Sequence, residues 1–391
     1  MSLSLLVASM DEHFREMVRE NLINIPNSKL AAEYPEVTSN LHIRVLQDIE
    51  RHPDAGLMLD LAGDPEGTLK ILEKVKQAAP ELYVIASNYH ADGETVIGAV
   101  RAGANDFLVQ PIKRLEFRDA ISRLERAPKR THPVASRLGK IYTFLGVKGG
   151  AGTTTLAVNF AAVLAQRQQS CVLVDLDWTA NDACMQVGAT PQNTLLEIGE
   201  NLSRMDQSLF EGSVTHDPLG FYLVGPPDSL DHRATFTESM FRDFANFLVE
   251  KYDSVVIDAG RNVADEVTAG ALHAASAVFL VMTQEFASVR NAQRFLTYLM
   301  RVGFTQDRLK IVVNQYQKKN NSHLASLEQI KQTLNQEVFY GLPPSPAVLA
   351  AINRGRPFVA DREAAGDLDR AFRAFVDKAT GRNKDAVAKS A

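Results

Sequence analysis

Cysteine is nearly absent: Cys171 and Cys184 are the only two in 391 residues, and neither sits in a CxxC or histidine-spaced pattern. A disulfide framework is thereby excluded, and both thiols are expected to be reduced and structural rather than metal-binding or redox-active. No apolar run approaches the roughly 18 to 20 residues that a membrane span needs. The opening MSLSLLVASMDEHF has neither a cationic stretch nor a small-residue cleavage site, so a cytoplasmic chain is expected. Positive charge is not in surplus either. A formal net charge of -5 gives no global nucleic-acid footprint, and any such role would need a local basic patch. Repeats at solenoid periods are missing. The end, GRNKDAVAKSA, is polar and lacks the Leu and Phe face of a membrane-surface helix, so it reads as a frayed tail and not as a membrane anchor.

What is present is ordinary globular material, 45% hydrophobic and 23% charged, and more of it than one core usually serves. Short apolar runs alternate with helical patterns over residues 1–126: LSLLVAS, GLMLDL, LYVIAS and DFLVQP, followed by helices near 12–23, 66–78, 91–102 and 113–126. This alternation predicts a parallel sheet covered on both faces. Residues 127–139, APKRTHPVASRLG, break it with two prolines and the cationic Lys129, Arg130, His132 and Arg137, and read as a linker. It is a solvated hinge or a contact for an anionic partner. A second alternation fills 140–378, with seven apolar runs from KIYTFLG through CVLVDLD, FYLVG, SVVIDAG, AVFLVMT and LKIVVNQ to VFYGLP, leaving 379–391 as a flexible tail. The predicted fold class is α/β, with two doubly wound parallel-sheet domains.

The most informative stretch is the strand IYTFLG, the loop VKGGAGTTT and the helix LAVNFAAVLAQ. Gly149, Gly150 and Gly152 let the backbone curl so that amide N–H groups converge, and the helix start adds its positive dipole end. An anion belongs there, held by the segment Gly149, Gly150, Ala151, Gly152, Thr153, Thr154 and Thr155. The spacing KGGxGxTT resembles the deviant phosphate loop of the MinD/ParA family of ATPases, whose pattern is KGGxGKTT. The resemblance implies a P-loop NTPase domain that takes ATP and Mg2+. It implies that Lys148 is the signature lysine, which in the family reaches the phosphates of a partner subunit, and hence a homodimer clamped on ATP. It further implies that Thr154 ligates Mg2+ and that Thr155 lies beside the α-phosphate. Thr153 departs from the pattern, standing where the family carries a second lysine on the β- and γ-phosphates. A hydrogen bond to a charged group contributes roughly 1.5 to 3 kcal/mol, some ten- to hundredfold in affinity, so binding can survive its loss. Phosphoryl transfer depends more heavily on charge held against the transition state, so hydrolysis is expected to be slow or absent.

Along the same resemblance, Asp177 in DLDWTAND falls where the family orients attacking water, Asp175 nearer the Mg2+, and Asp258, closing SVVIDAG, at the second Mg2+-side carboxylate. Gly260 and Arg261 fall on the second switch, Arg261 being either a partner contact or solvent-exposed. Asn314 matches an adenine-contacting asparagine, and Pro343 lies in LPPSPAVLAAINRGRPF, similar to the segment that passes the base. Each of these residues also has an ordinary use as a strand-end cap or turn; their order along the chain is what carries the reading.

The front half resembles a two-component receiver, a flavodoxin-like domain. Asp60 matches the phosphoacceptor and Ser87 the small hydroxyl residue, but Gln110, before Pro111, replaces the receiver's lysine, and Ser9 and Met10 stand at its acidic pair. Phosphotransfer needs Mg2+ held by those acids and a cation on the new phosphoryl group. Asp60 is therefore read as vestigial and the domain as a docking or dimerisation surface. The combination of the two halves is similar to the CpaE/TadZ family. That likeness implies a positional switch and scaffold for a tight-adherence (Flp-type) pilus machine, recruited to the cell pole and to assembly proteins at the inner membrane. The alternatives are a DNA-partition ATPase, a division- or flagellar-placement ATPase and, further off, a phosphorylated response regulator with ATPase output.

Overall fold

The computed structural model describes residues 3–38, 41–127, 138–190, 192–227, 236–304, 308–318 and 323–382. In it the alternation closes into two sheets, one in each of two units, Met1–Arg137 and Leu138–Ala391. Most of the segment read as a linker, 128–137, lies outside the described residues, as does 383–391 of the expected tail. The final helix, Asp367–Thr380, runs on into the segment assigned to that tail before Gly381 caps it in a left-handed conformation.

The first unit carries strands β1 (Leu3–Ala8), β2 (Ser28–Tyr34), β3 (Ala55–Asp60), β4 (Val84–Asn88) and β5 (Asp106–Val109) in the order β2-β1-β3-β4-β5. Every pairing is parallel, and the order is flavodoxin-like. Helices α1 (Glu12–Ile23), α2 (Leu41–Arg51), α3 (Pro65–Ala78) and α4 (Gly93–Arg101) connect them, and α5 (Arg114–Arg126) follows β5. Aspartate side chains start three of these helices: Asp11 accepts from the His13 N–H, Asp64 from Gly67 with Pro65 in the first turn, and Asp92 from Thr95. Val7, Met58, Ile85 and Leu108 meet Phe14, Val18, Phe117 and Ile121 in a core of this unit. The strand β2 and helix α2 were not read from the sequence. SKLAAEY is an edge strand of which only Tyr34 is buried, whereas LHIRVLQDIER does carry a helical spacing that buries Leu46 and Ile49.

The second unit carries β6 (Lys140–Gly146), β7 (Cys171–Asp175), β8 (Thr215–His216), β9 (Tyr222–Val224), β10 (Ser254–Asp258), β11 (Ala277–Met282), β12 (Leu309–Val313) and β13 (Val338–Gly341). Their order is β13-β12-β11-β6-β10-β7-β9-β8. All seven apolar runs are strands; the eighth, β8, is a two-residue antiparallel edge too short to leave a pattern. The fold class is thus α/β with two doubly wound sheets, the larger one carrying one antiparallel edge. Helix α6 (Thr153–Gln166) follows β6 and is apolar nearly all round, because Leu156 through Leu164 are buried. A knot of rings lies beneath it: Phe144 and Phe160 have centroids 5.3 Å apart, Phe144 and Phe279 4.9 Å, and Phe160 and Phe375 5.7 Å. Packing of that kind fixes α6 against the sheet and therefore fixes the loop that precedes it.

Candidate functional site

The chain leaves β6 between two neighbours that run on to other parts of the sheet, β10 on one side and β11 on the other. This is the switch point at which open α/β sheets form a crevice beyond the carboxyl ends of their strands. The backbone is tied down on both flanks, since Gly146 N–H donates to Gly260 O (2.8 Å) and Val147 N–H to Val281 O (3.1 Å). The loop then turns through Gly150 (φ 76°) and Gly152 (φ 88°), both in the left-handed region. Gly152 is the N-cap of α6, which has no side-chain cap, so its first-turn N–H groups face the crevice. A side chain at Gly152 would also collide: a Cβ there would lie 2.3 Å from Asn314 Nδ2.

Asn314, one residue past β12, is spoken for by the loop itself. Its Nδ2 donates to Ala151 O (2.8 Å) and its Oδ1 accepts from Gln315 N–H (3.0 Å). Far-apart chain segments thus hold the loop's shape before any ligand arrives. Thr153 points its hydroxyl back toward the end of β6, where a Cβ on Gly146 would sit 2.3 Å from its Oγ1. Lys148 is ion-paired with Glu285, a residue the sequence reading passed over because the partners are 137 positions apart. Arg261 extends over the loop, within 2.9 Å of where a Cβ on Gly149 would stand.

Two carboxylates lie behind the loop. Asp175 and Asp258 end the adjacent strands β7 and β10 in direct register, and both are fully buried. Asp175 is satisfied by the N–H groups of Asp177 (2.8 Å) and Ala183 (3.2 Å). Asp258 Oδ1 accepts from Gly260 N–H (3.1 Å), whereas its Oδ2 is buried with no hydrogen-bond partner among the described residues. Burial pushes the Asp258 carboxyl up to about 6, eased by the Thr154 hydroxyl that faces it. Burial first, and the Asp258 charge second, also raises Asp175 well above the ordinary range. Such a pair calls for a cation. Hard oxygen donors with a hydroxyl at hand suit Mg2+, which keeps several waters and phosphate oxygens and needs few protein ligands. Among the described residues there is no group of three or more His, Cys, Asp or Glu that could hold a metal by itself.

The crevice is a cavity of about 940 Å3. The structure brings Lys148, Gly149, Gly150, Ala151, Gly152, Thr153, Thr154, Thr155, Asp177, Asn314 and Pro343 to its wall together, and it adds Arg261, Thr179 and Asp182. Asp177 holds Thr179 through both its backbone N–H and its hydroxyl. Met185, Val348, Leu349, Ile352 and Phe358 give one end an apolar lining. Asp175 and Asp258 stand behind the wall, not on it.

Asp60 is in the other unit. It is buried, and neutral donors occupy it: Ser9 Oγ (2.6 Å) and Ala62 N–H (3.0 Å) donate to its carboxylate, as does Gln110 Nε2 (2.7 Å). Ser9 and Gln110 are thus hydrogen-bonded directly to Asp60, Met10 is exposed, and Ser87 Oγ is buried with no hydrogen-bond partner among the described residues.

A glycine loop on the central strand, carboxylates at the ends of the next two strands and a cavity of nucleotide size define a phosphate-loop protein. Residues 142–358, more than half of the chain, match the CobQ/CobB/MinD/ParA nucleotide binding domain, and the chain belongs to that family. It is 22% identical over 222 residues to the septum site-determining protein MinD of Thermotoga maritima, covering 56% of this chain and 81% of that one. Among solved structures it shares its fold with a ParA family ATPase from Chlorobium tepidum (TM-score 0.56, 22% identity, 61% of this chain and 98% of that one). The septum site-determining protein MinD from Pyrococcus horikoshii, complexed with Mg-ADP, is similar in fold too (TM-score 0.53, 18% identity, 65% and 99%). No described helix is long and apolar enough to cross a membrane.

Proposed function

We propose that the chain binds ATP with Mg2+, dimerises around it and hydrolyses it slowly or not at all, serving as a positional switch of the CpaE/TadZ kind. In this role it would help recruit and assemble a Flp-type pilus machine at the cell pole. The observation that carries the reading is the divided loop. Lys148 is kept on the cavity wall while Thr153, its hydroxyl turned toward Gly146, stands where a charge is needed for turnover. Asp258, with Thr154, would hold Mg2+, with Asp175 behind them; Asp177 would face the water side, and the apolar end of the cavity near Pro343 would take the base. A ligand bound only by the dimer stabilises that dimer by mass action, which is all that a slow switch requires. The front unit supports the same reading, because a receiver fold whose acceptor is occupied by neutral donors is suited to docking rather than to phosphotransfer.

Sedimentation velocity with and without Mg-ATP tests the clamp. The wild type should shift to a dimer with nucleotide and Lys148→Ala should not; identical behaviour of the two would sink the dimer. Thr153→Lys should raise ATP turnover by about tenfold or more, by restoring charge at the transition state. Brisk and equal turnover in both forms would remove the slow-switch reading.

A further inference from the structure

We infer that Arg261 supplies, from within the same chain, the cation that Thr153 takes away from the phosphate loop. The inference rests on the nucleotide reading above and adds the residue that lets one subunit hold the phosphates. Arg261 follows Gly260, which turns the chain at φ 57° and whose carbonyl accepts the Gly146 N–H, so the residue is anchored at the base of the loop. Its guanidinium reaches over Gly149, where any side chain would come within 2.9 Å of Nη1.

Lys148 and Arg261 are the cationic side chains among the described residues on the cavity wall. Lys148 is engaged by Glu285. Arg261 has no hydrogen bond or ion pair with any described residue, although Asp177 and Asp182 line the same cavity. An exposed, uncommitted guanidinium beside the loop's amide donors, on a wall where Lys148 is the other cation, is placed for an anion with several oxygens. Its planar fork matches two non-bridging phosphate oxygens better than an ammonium would. It enters from the strand next to the loop and not from the loop itself, so the charge is relocated instead of lost.

The test is a calorimetric titration of Mg-ATP into four proteins: wild type, Arg261→Ala, Thr153→Lys and the double variant, with thermal melts to confirm folding. Arg261→Ala should weaken binding about ten- to hundredfold in the native background, the range for a hydrogen bond to a charged group. With Thr153→Lys already present, the same change should weaken it about threefold or less, because the loop then has its own cation. Arg261→Lys should fall between wild type and Arg261→Ala. If the wild type binds and Arg261→Ala binds within about threefold of it, the inference fails and the nucleotide reading stands. Equal losses in both backgrounds would make Arg261 an ordinary contact and overturn the substitution. No heat with the wild type would overturn both.

Discussion

Asp258 is a buried carboxylate whose Oδ2 has no hydrogen-bond partner among the described residues, and its burial has a thermodynamic sign. Its ordinary value of 3.8 applies in the unfolded chain and about 6 applies in the fold. Between those values the native protein binds more protons, so stability falls as pH rises through the interval. Above about pH 6 the charged group costs roughly 3 kcal/mol by its shift alone, and the raised Asp175 acts in the same direction. The nucleotide-free protein should therefore melt at a higher temperature near pH 5 than near pH 7.5, and Mg-ATP should narrow that difference. Asp258→Asn should raise the melting temperature of the nucleotide-free protein at pH 7.5 by roughly 5 °C and should abolish the dependence of nucleotide binding on Mg2+. A lower melting temperature would show that the carboxylate is stabilising and the cation argument wrong.

At the scale of elements, the site is assembled by ties between segments distant in the chain. Asn159, buried on α6, donates to Thr155 O (2.8 Å) and accepts from Val359 N–H (3.1 Å), linking the phosphate helix to the segment that borders the apolar end of the cavity. Asn159→Ala should lower stability by about 1 to 3 kcal/mol, read by urea denaturation, because it leaves a buried N–H without an acceptor. The first unit has its own tie, in which Asp60 joins β1 through Ser9 to the end of β5 through Gln110. Asp60→Ala should lower the stability of that unit by about 2 to 4 kcal/mol, since two buried donors lose their acceptor at once. A small phosphodonor such as acetyl phosphate should leave no adduct on Asp60 by mass spectrometry; a stable one would revive phosphorylation as a control.

The strands and the glycine loop were legible in the sequence because their causes are local: runs such as SVVID and AVFLV have no other use, and GGxG feeding a Thr run fits few backbones. Glu285 beside Lys148, Asn314 on Ala151 and Arg261 over Gly149 were not, because each depends on which strand lies beside which. The edge strands β2 and β8 escaped for the opposite reason, having too little buried surface to impose a pattern.

On the scale of the whole molecule, each unit closes its own core, Phe117 and Ile121 in the first and Phe144, Phe160 and Phe375 in the second. We expect residues 138–391, expressed alone, to bind Mg-ATP within about threefold of the full chain, measured by the same calorimetry. A loss well beyond tenfold would mean that the front unit shapes the cavity. The polar reading makes a complementary demand, that residues 1–126 fused to a fluorescent protein should still find the recruiting partners. Diffuse fluorescence would assign the address to the second unit instead.

The course of β6 decides where the glycine loop begins. Gly139, at its entrance, is fastened by its N–H to Val249 O (2.7 Å), and seven residues, Lys140–Gly146, lead from there straight to the loop. The strand is flanked by parallel ladders on both sides. A strand held along both edges gives the glycine loop a fixed point of departure, so the direction of its amides is set by the sheet and not by whatever anion arrives.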